Sequence, residues 1–328
     1  MSDSTTDPAT LYETIQEEAG TVLIGNDDAI ERITIALLTR GHVLLEGVPG
    51  VAKTTIANLF ARTTGLDFTR IQMTPDLLPA DITGSHIYRE SVGEFELNKG
   101  PIFSNVVVAD EINRATPKTQ SALLEAMQER TVSIEGDTLS LPEPFIVIAT
   151  QNPIEMEGVF ELPEAQRDRF QFKLHIDLPD RVDERELLDR FDSNPDLGPD
   201  QVKQVIDTAA LTEARDIVEE VHVADPVREY ILDIVGRTRE SPDVQFGASP
   251  RATLAFLNAG KARAAIHGRD YVIPDDIKAL AEPILIHRLL LSTEAEIGDQ
   301  STEEVVERIV GSVDVPSGVD EAAAPTTD

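Results

Sequence analysis

A loop with two glycines and a lysine lies between an apolar run at residues 43–45 and a segment whose apolar residues recur at helical spacing. In a strand, glycine loop and helix, in that order, backbone N–H groups can turn toward phosphate oxygens at the positive end of the helix. Lys53 adds a positive charge, and the hydroxyl of Thr54 can reach Mg²⁺. The residues expected to hold the phosphates are Gly47, Val48, Pro49, Gly50, Val51, Ala52, Lys53, Thr54 and Thr55. This pattern predicts a nucleoside triphosphate site, and the alternative is a strand-to-helix turn of another α/β protein.

The loop departs from the usual phosphate-binding pattern at one position. Glycine ordinarily stands just before the lysine, and here that residue is Ala52. Alanine accepts helical dihedral angles but disfavours a positive φ. We therefore expect the chain to enter the helix at Ala52 with ordinary, right-handed geometry.

Two adjacent carboxylates follow a second apolar run, at residues 106–109. In a phosphate-loop fold this strand lies beside the strand that leads into the loop. Asp110 is then expected to hold Mg²⁺, directly or through water, and Glu111 to orient and deprotonate the attacking water. General-base catalysis of this kind contributes on the order of 10² to 10⁴ in rate.

A polar amide follows a third apolar run, at residues 145–149. Ligands bind at the carboxyl ends of the strands in open α/β sheets, so Asn152 is placed to hydrogen-bond the γ-phosphate or the water. The alternative is an asparagine that forms a turn before Pro153.

The composition is strongly acidic, with a net charge of −32 over 328 residues and only seven lysines among 28 basic residues. An acidic, lysine-poor surface is expected in a cytoplasm at molar salt, where screening relieves self-repulsion. We therefore predict a halophilic source, and the alternative is an acidic surface that meets a basic partner. Nucleic-acid binding is disfavoured because no basic stripe is visible. The absence of cysteine excludes disulfides, thiol nucleophiles and thiolate metal sites.

Periodicity divides the chain into four parts. Residues 1–9 are polar and expected to be flexible, and residues 10–178 alternate short apolar runs with helical patterns, which predicts an α/β fold with a parallel sheet between helices. Residues 179–311 show helical periodicity and predict an all-helical domain, and residues 312–328 predict a disordered acidic tail. With no apolar run long enough to cross a bilayer and no leader sequence, we expect a soluble, cytoplasmic protein.

Taken together, these motifs resemble those of AAA+ ATPases and, within them, the MoxR family. The resemblance runs from about Ile24 to about Arg288, and alanine at position 52 is common in this family. It implies a P-loop NTPase sheet ordered as in other AAA+ modules, a helical lid, and a homo-oligomeric ring, usually a hexamer, with ATP and Mg²⁺ between neighbours. The motifs that carry the resemblance are residues 47–54, 109–115, 149–155, 162–166, 168–170 and 249–251.

The resemblance also implies roles for single residues. Gly25 matches the segment that packs on the adenine, Asn152 the sensor 1 residue, and Arg251 the sensor 2 arginine of the lid. Arg169 matches the arginine finger supplied to the adjacent subunit's ATP, where it can be worth about 10³ to 10⁵ in rate. Arg167 stands where the family usually has leucine, so it stays open which of the two arginines crosses the interface.

The resemblance further implies a chaperone-like role in maturing or activating protein complexes, with clients that include von Willebrand factor A domain proteins. Residues 77–100 and 131–141 match insertions that would face the pore or a client, and the alternative is that both are plain surface loops. The alternating apolar residues of the second segment predict a hairpin. A different function is a nucleotide-controlled scaffold or switch with negligible hydrolysis. A replication helicase would need added nucleic-acid-binding domains.

The acidic composition generates a prediction about salt. We expect the melting temperature to rise from dilute buffer to molar KCl, because added ions screen the repulsion among the carboxylates. Thermal unfolding measured across this range tests it, and a melting temperature that stayed constant or fell would contradict the halophilic interpretation. A parallel titration with sucrose is the control, since this osmolyte favours compact states without screening charge.

Overall fold

The computed structural model describes residues 7–90, 93–153 and 159–316. Among these, none of the helices is both long enough and apolar enough to cross a membrane. The strands are β1 (Val43–Glu46), β2 (Phe68–Gln72), β3 (Gly84–Arg89), β4 (Glu94–Lys99), β5 (Val106–Asp110), β6 (Thr131–Ile134), β7 (Asp137–Ser140), β8 (Ile146–Gln151), β9 (Phe172–His175), β10 (Val244–Phe246) and β11 (Leu290–Leu291). The α-helices are α1 (Pro8–Gly20), α2 (Asp27–Leu38), α3 (Lys53–Thr63), α4 (Pro79–Thr83), α5 (Pro117–Glu129), α6 (Glu164–Arg167), α7 (Arg181–Ser193), α8 (Thr208–Glu220), α9 (Asp225–Glu240), α10 (Pro250–Ile266), α11 (Pro274–Leu285), α12 (Thr293–Ile297) and α13 (Thr302–Gly311).

Contacts between Cα atoms divide the chain into two compact units. The sheet unit contains the described parts of residues 14–170 and 174–208, and the helical unit contains those of residues 1–13, 171–173 and 209–328. Of the predicted flexible terminus, residues 1–6 lie outside the described residues, and residues 8 and 9 belong to α1. Of the predicted disordered tail, residues 317–328 lie outside them as well.

The helical unit begins later in the chain than the change in periodicity suggested. The sequence placed the start of the helical domain at residue 179, whereas residues 174–208 group with the sheet. Backbone hydrogen bonds account for this, since the Val205 N–H donates to the Thr63 carbonyl at 2.8 Å. The Lys203 N–H likewise donates to the Glu18 carboxylate at 2.8 Å. The predicted domain bounds stay a prediction, because contacts do not show which parts move as units.

A five-stranded sheet with the order β2-β5-β8-β1-β9 forms the centre of the α/β part. Neighbouring strands from β2 to β1 pair in parallel, so their carboxyl ends meet at one edge of the sheet. The expectation that the strand of the two acids lies beside the strand that leads into the loop is wrong, because β8 pairs with both and lies between β5 and β1. The apolar runs at residues 43–45, 106–109 and 145–149 correspond to β1, β5 and β8 of this sheet. The predicted α/β class, with helices flanking a parallel sheet and a separate helical part, is confirmed.

Side-chain burial follows the position of each strand in the sheet. The β5 residues Val106, Val107, Val108 and Ala109 are fully buried, as expected for β-branched residues in a central strand covered on both faces. Strand β2 lies at the sheet edge and carries exposed polar residues at Arg70 and Gln72. These two residues are two positions apart and therefore project from the same face of the strand. The register places Gln72 beside Asp110.

Both predicted insertions form hairpins. Strands β6 and β7 pair antiparallel around Glu135 and Gly136, which have φ values of 50° and 105°. The prediction of a hairpin at residues 131–141 is therefore confirmed. The segment at residues 77–100 contains α4 and the antiparallel pair β3–β4, which leaves the apolar side chains of Ile87, Tyr88 and Phe95 exposed. Residues 91 and 92 lie outside the described residues, and a role of either hairpin toward a client stays a prediction.

A buried ion cluster stabilises the helical unit. The carboxylate of Asp276 is fully buried at the start of α11. It accepts hydrogen bonds at 2.7 Å from the guanidinium groups of Arg263 and Arg269, and at 3.0 Å from the Ile273 N–H. The cluster raises the pKa of Arg269, chiefly through the hydrogen bond to Asp276. A buried charge is tolerated when it is paired in this way, so the group has a structural role.

A buried histidine joins three elements near the start of β1. The Val147 N–H of β8 donates to His42 Nδ1 at 3.0 Å, so Nε2 carries the proton and donates to the Met127 carbonyl of α5 at 3.1 Å. The pKa of His42 is lowered from 6.5 to about 4, chiefly by burial; the hydrogen bond to Met127 opposes this shift and the charge of Arg130 adds to it. Neutral His42 therefore helps to hold β1 in register with β8.

His42 generates a prediction about acid stability. Between pH 6.5 and pH 4 the unfolded chain binds a proton at this residue and the folded chain does not, so the free energy of unfolding falls as the pH falls. We expect this single group to remove about 3 kcal/mol over that window. Chemical denaturation of wild type and His42→Gln at matched salt tests it, since glutamine offers a donor and an acceptor but does not titrate. Equal losses of stability in the two proteins would contradict the assignment.

Candidate functional site

The loop between β1 and α3 needs glycine at two positions for two different reasons. A Cβ atom at Gly47 would lie 2.3 Å from the Ile176 carbonyl oxygen, so backbone packing leaves no room for a side chain there. Gly50 has a φ of 92°, a conformation that side chains disfavour. These glycines let the loop turn tightly from the sheet edge into α3.

Ala52 adopts the left-handed conformation, with φ 60° and ψ 16°. The expectation of ordinary geometry at this residue is therefore wrong. The turn that directs the loop into α3 requires a residue in the left-handed conformation, whichever side chain it carries. For alanine this conformation is less stable by about 1–2 kcal/mol. Ala52 precedes α3 and makes no side-chain hydrogen bond to the first N–H groups of this helix. These N–H groups can therefore bind an anion without competition from a capping side chain.

The ammonium group of Lys53 lies against the loop itself. It donates hydrogen bonds to the carbonyl oxygens of Gly47 and Val48, the latter at 2.9 Å. Burial lowers the pKa of Lys53, and the nearby carboxylates of Asp110, Glu111 and Glu46 oppose that shift. The lysine is thus held beside the loop, where it can exchange carbonyl oxygens for the oxygens of a bound phosphate.

Asp110 stands at the end of β5 with its side chain 10% exposed. Its Oδ1 accepts a hydrogen bond from the Thr150 hydroxyl at 2.5 Å. Its Oδ2 accepts from Arg70 Nε at 2.9 Å and from the Thr54 hydroxyl at 3.4 Å. Carboxylate and hydroxyl oxygens are the hard ligands that Mg²⁺ prefers, and the ion usually takes one or two carboxylates together with substrate phosphates. Asp110 and Thr54 therefore fit a Mg²⁺ site.

Glu111 follows Asp110 with a positive φ of 57°, and its N–H donates to the Thr150 hydroxyl at 2.9 Å. Its Oε2 accepts hydrogen bonds from Gln72 Nε2 at 2.9 Å and from an Arg114 nitrogen at 3.1 Å. The left-handed backbone turns the side chain out of the direction that β5 would give it. Both hydrogen bonds end on Oε2, so they hold the carboxylate in place while its other oxygen, Oε1, can still accept a proton.

A cavity of about 350 Å³ gathers most of the predicted residues in the sheet unit. Its lining combines the loop and the start of α3 with the ends of β2, β5 and β8. The lining residues are Pro49, Gly50, Val51, Ala52, Lys53, Thr54, Thr55, Arg70, Asp110, Glu111, Thr150, Gln151 and Asn152. A volume of this size suits a small ligand, and the strand ends place it where open α/β sheets bind ligands.

Sequence reasoning missed three polar residues that contact the two acids, namely Arg70, Gln72 and Thr150. A signal for them exists in the chain. Residues 70 and 72 are alternate polar positions at the end of an apolar strand, and Thr150 directly precedes the motif that contains Asn152. Their contacts depend on the strand order, because β2 and β8 are the two neighbours of β5. Strand order cannot be read from the spacing of the motifs.

Other predicted residues lie away from this lining. Gly25 has a φ of 68°, and a Cβ there would lie 2.7 Å from the Asp183 carboxylate of α7. Arg167 and Arg169 stand at the end of α6 and just beyond it, and the Nε atom of each is buried with no hydrogen-bond partner among the described residues. Arg251 lies in the helical unit, in the first turn of α10, which begins at Pro250. Residues 154 and 155 of the predicted motif lie outside the described residues.

Two family models match the chain. Residues 42–172 match the ATPase family associated with various cellular activities (AAA), and residues 236–309 match the AAA lid domain. The first match includes the loop, both acids, Asn152 and Arg169, and the second includes Arg251. The two matched segments correspond to the parallel sheet and to most of the helical unit.

Relatives match nearly the whole length of the chain. The chain is 46% identical to Chaperone MoxR1 of Mycobacterium tuberculosis over 308 residues, which span 91% of this chain and 81% of the relative. It is also 46% identical to the uncharacterized protein YeaC of Bacillus subtilis, over 92% of this chain and 93% of that protein. A crystal structure of a protein from Cytophaga hutchinsonii matches with a TM-score of 0.87 and 42% identity, over 94% of this chain and 97% of that one. The chain therefore belongs to the MoxR family of AAA+ ATPases.

Proposed function

We propose that the protein is a Mg²⁺-dependent ATPase that binds ATP in the cavity between the loop and the ends of β5 and β8. The observation that carries this proposal is the convergence of Lys53, Thr54, Asp110 and Glu111 on one cavity. When bound, Mg²⁺ would supply positive charge that stabilises the phosphoryl group during its transfer. Asp110 and Thr54 are the residues that would hold it.

The remaining residues divide the work of hydrolysis. The loop N–H groups and Lys53 bind the phosphates and orient the terminal one. Glu111 accepts a proton from the attacking water, and its Oε1 can do so while Gln72 and Arg114 donate to Oε2. Asn152, at the carboxyl end of β8, orients the water or the γ-phosphate by hydrogen bonding. Gly25 contributes to the pocket for the adenine ring of ATP.

Hydrolysis at subunit interfaces is the part of the proposal that concerns assembly. The homo-oligomer is a ring, as in AAA+ proteins generally, and a hexamer is the expected size. Arg169, or its neighbour Arg167, supplies positive charge to the ATP of the adjacent subunit, and Arg251 reaches from the lid of the same subunit. A planar guanidinium suits this task because it pairs with phosphate oxygens in a defined geometry.

The energy of hydrolysis is used, in this proposal, to remodel protein clients during maturation or activation of complexes. The relative from Mycobacterium tuberculosis is named a chaperone. The exposed apolar side chains of Ile87, Tyr88 and Phe95 on the β3–β4 hairpin support contact with another protein. Clients with von Willebrand factor A domains, a cytoplasmic location and a halophilic source remain predictions from resemblance and composition.

A nucleotide-controlled scaffold with negligible hydrolysis is the second candidate. The engagement of Glu111 Oε2 by both Gln72 and Arg114 favours it, since a carboxylate fixed by two protein donors is less free to move toward an attacking water. Steady-state turnover in molar KCl separates the two functions. A turnover rate per subunit that rises with protein concentration supports the ring ATPase. ATP binding without turnover at any concentration supports the scaffold.

The role of Glu111 generates a mutational prediction. Glu111→Gln should bind ATP as wild type does and lose turnover by on the order of 10² to 10⁴, because the amide cannot take the proton from water. Lys53→Ala should lose ATP binding itself. Filter binding and phosphate release measure the two effects. Glu125→Gln, which removes an exposed carboxylate on α5, is the matched control and should behave as wild type. Normal turnover in Glu111→Gln would show that another group is the base.

The trans arginine generates a second prediction. Arg169→Ala should keep ATP binding and lose about 10³ to 10⁵ in turnover, if this arginine completes the neighbouring site. Mixing Arg169→Ala with Glu111→Gln should then restore part of the activity, because the first variant keeps its base and receives an intact arginine from the second. The same mixture with Arg167→Ala tests the other candidate. An absence of recovery in both mixtures would contradict the shared site.

A further inference from the structure

Arg70 is the positive charge that contacts Asp110 in this structure. Its Nε donates to Asp110 Oδ2 at 2.9 Å, and a second guanidinium nitrogen donates to the same oxygen. The Thr54 hydroxyl points at that oxygen too, at 3.4 Å. Asp110 Oδ2 therefore lies between Arg70 and the hydroxyl that is the other candidate ligand of Mg²⁺.

A carboxylate in this position needs a counter-charge. The Asp110 side chain is only 10% exposed, and an enclosed charge without a partner is strongly unfavourable. Thr150 and Thr54 are neutral donors, and Lys53 interacts with Asp110 only through its charge, so Arg70 is the cation that contacts this carboxylate directly. The arginine thus performs the electrostatic task that Mg²⁺ performs in the complex with ATP.

The two cations cannot share the oxygen favourably. A guanidinium in hydrogen-bond contact with Asp110 Oδ2 would lie within a few ångströms of a metal ion on the same atom, and like charges at that distance repel. We propose that Arg70 stands in for the metal at Asp110 and competes with Mg²⁺, so that the nucleotide–metal complex must displace the arginine. This proposal rests on the proposed function of the same site.

The position of Arg70 permits the displacement. Its side chain is 51% exposed and stands on β2, the edge strand of the sheet, so the guanidinium can move toward solvent without disturbing the core. One nitrogen also donates to Gln72 Oε1 at 3.0 Å, which leaves the arginine a local partner after it releases Asp110. A half-exposed ion pair is worth little, so Mg²⁺ can break it. Arg70 is therefore a positioning residue that tunes metal affinity.

The test measures metal affinity rather than turnover. Binding of a fluorescent ATP analogue that resists hydrolysis is titrated with MgCl₂ at constant molar KCl, for wild type and for Arg70→Gln. We expect the half-saturating Mg²⁺ concentration to fall roughly two- to fivefold in the variant, which is the range set by a partly exposed ion pair. Arg70→Lys should give an intermediate value, because it keeps the charge but loses the two-nitrogen contact.

Matched variants and a second readout separate the competing explanations. Arg62→Gln removes a guanidinium paired with Asp200 at 2.5 Å on α3, changes the net charge equally, and should bind Mg²⁺ as wild type does. Without nucleotide or Mg²⁺, Arg70→Gln should melt at a lower temperature than wild type, because Asp110 loses its partner, and MgCl₂ alone should stabilise it more than it stabilises wild type.

The outcomes distinguish the two proposals. An unchanged or higher half-saturating Mg²⁺ concentration in Arg70→Gln would overturn the competition and indicate that Arg70 supports the nucleotide complex instead. Nucleotide binding in wild type that does not respond to Mg²⁺ at all would overturn the proposed function. A fall in the half-saturating Mg²⁺ concentration in both Arg70→Gln and Arg62→Gln would show that the change in net charge explains the effect. That result would also overturn the competition.

Discussion

The arrangement of the site depends on one enclosed carboxylate, that of Asp110 at the end of β5. A charge so little exposed must be matched by donors, and its donors come from three other elements of the sheet unit. Thr150 comes from β8, Thr54 from α3 and Arg70 from β2. Because these elements are neighbours around a parallel sheet, satisfying one charge also aligns the loop, Glu111 and the edge strand β2.

Two of the seven non-glycine residues that have a positive φ in the described part of the chain line the same cavity. Ala52 and Glu111 both adopt left-handed conformations that cost non-glycine residues about 1–2 kcal/mol each. Such residues persist where the surroundings over-determine them, and they tend to cluster at functional sites. Thr150 holds the backbone of Glu111, while Ala52 is constrained between the tight loop and the first turn of α3. The strain directs the N–H groups and the Glu111 carboxylate toward one cavity.

The positive groups of the site are local exceptions in a molecule with a net charge of −32. Lys53 lies against the loop carbonyls and Arg70 against Asp110, so each is paired within the protein before an anion arrives. In concentrated salt the distant carboxylates are screened, and these short contacts decide the local potential. In the proposed function, a bound phosphate then competes with the loop carbonyls for Lys53, and a metal ion competes with Arg70 for Asp110.

The sequence by itself determined the sheet, the loop and the two acids, because burial and the chemistry of phosphate binding constrain residue type over a few consecutive positions. It also determined the family, through motifs spread along the chain. It failed at Ala52, whose conformation is imposed by the path into α3 rather than by its own preference. Tertiary structure alone decided that β2 and β8 flank β5, and hence that Arg70, Gln72 and Thr150 contact the acids. The physical reason is that strand order arises from packing between residues far apart in the chain, which local patterns do not encode.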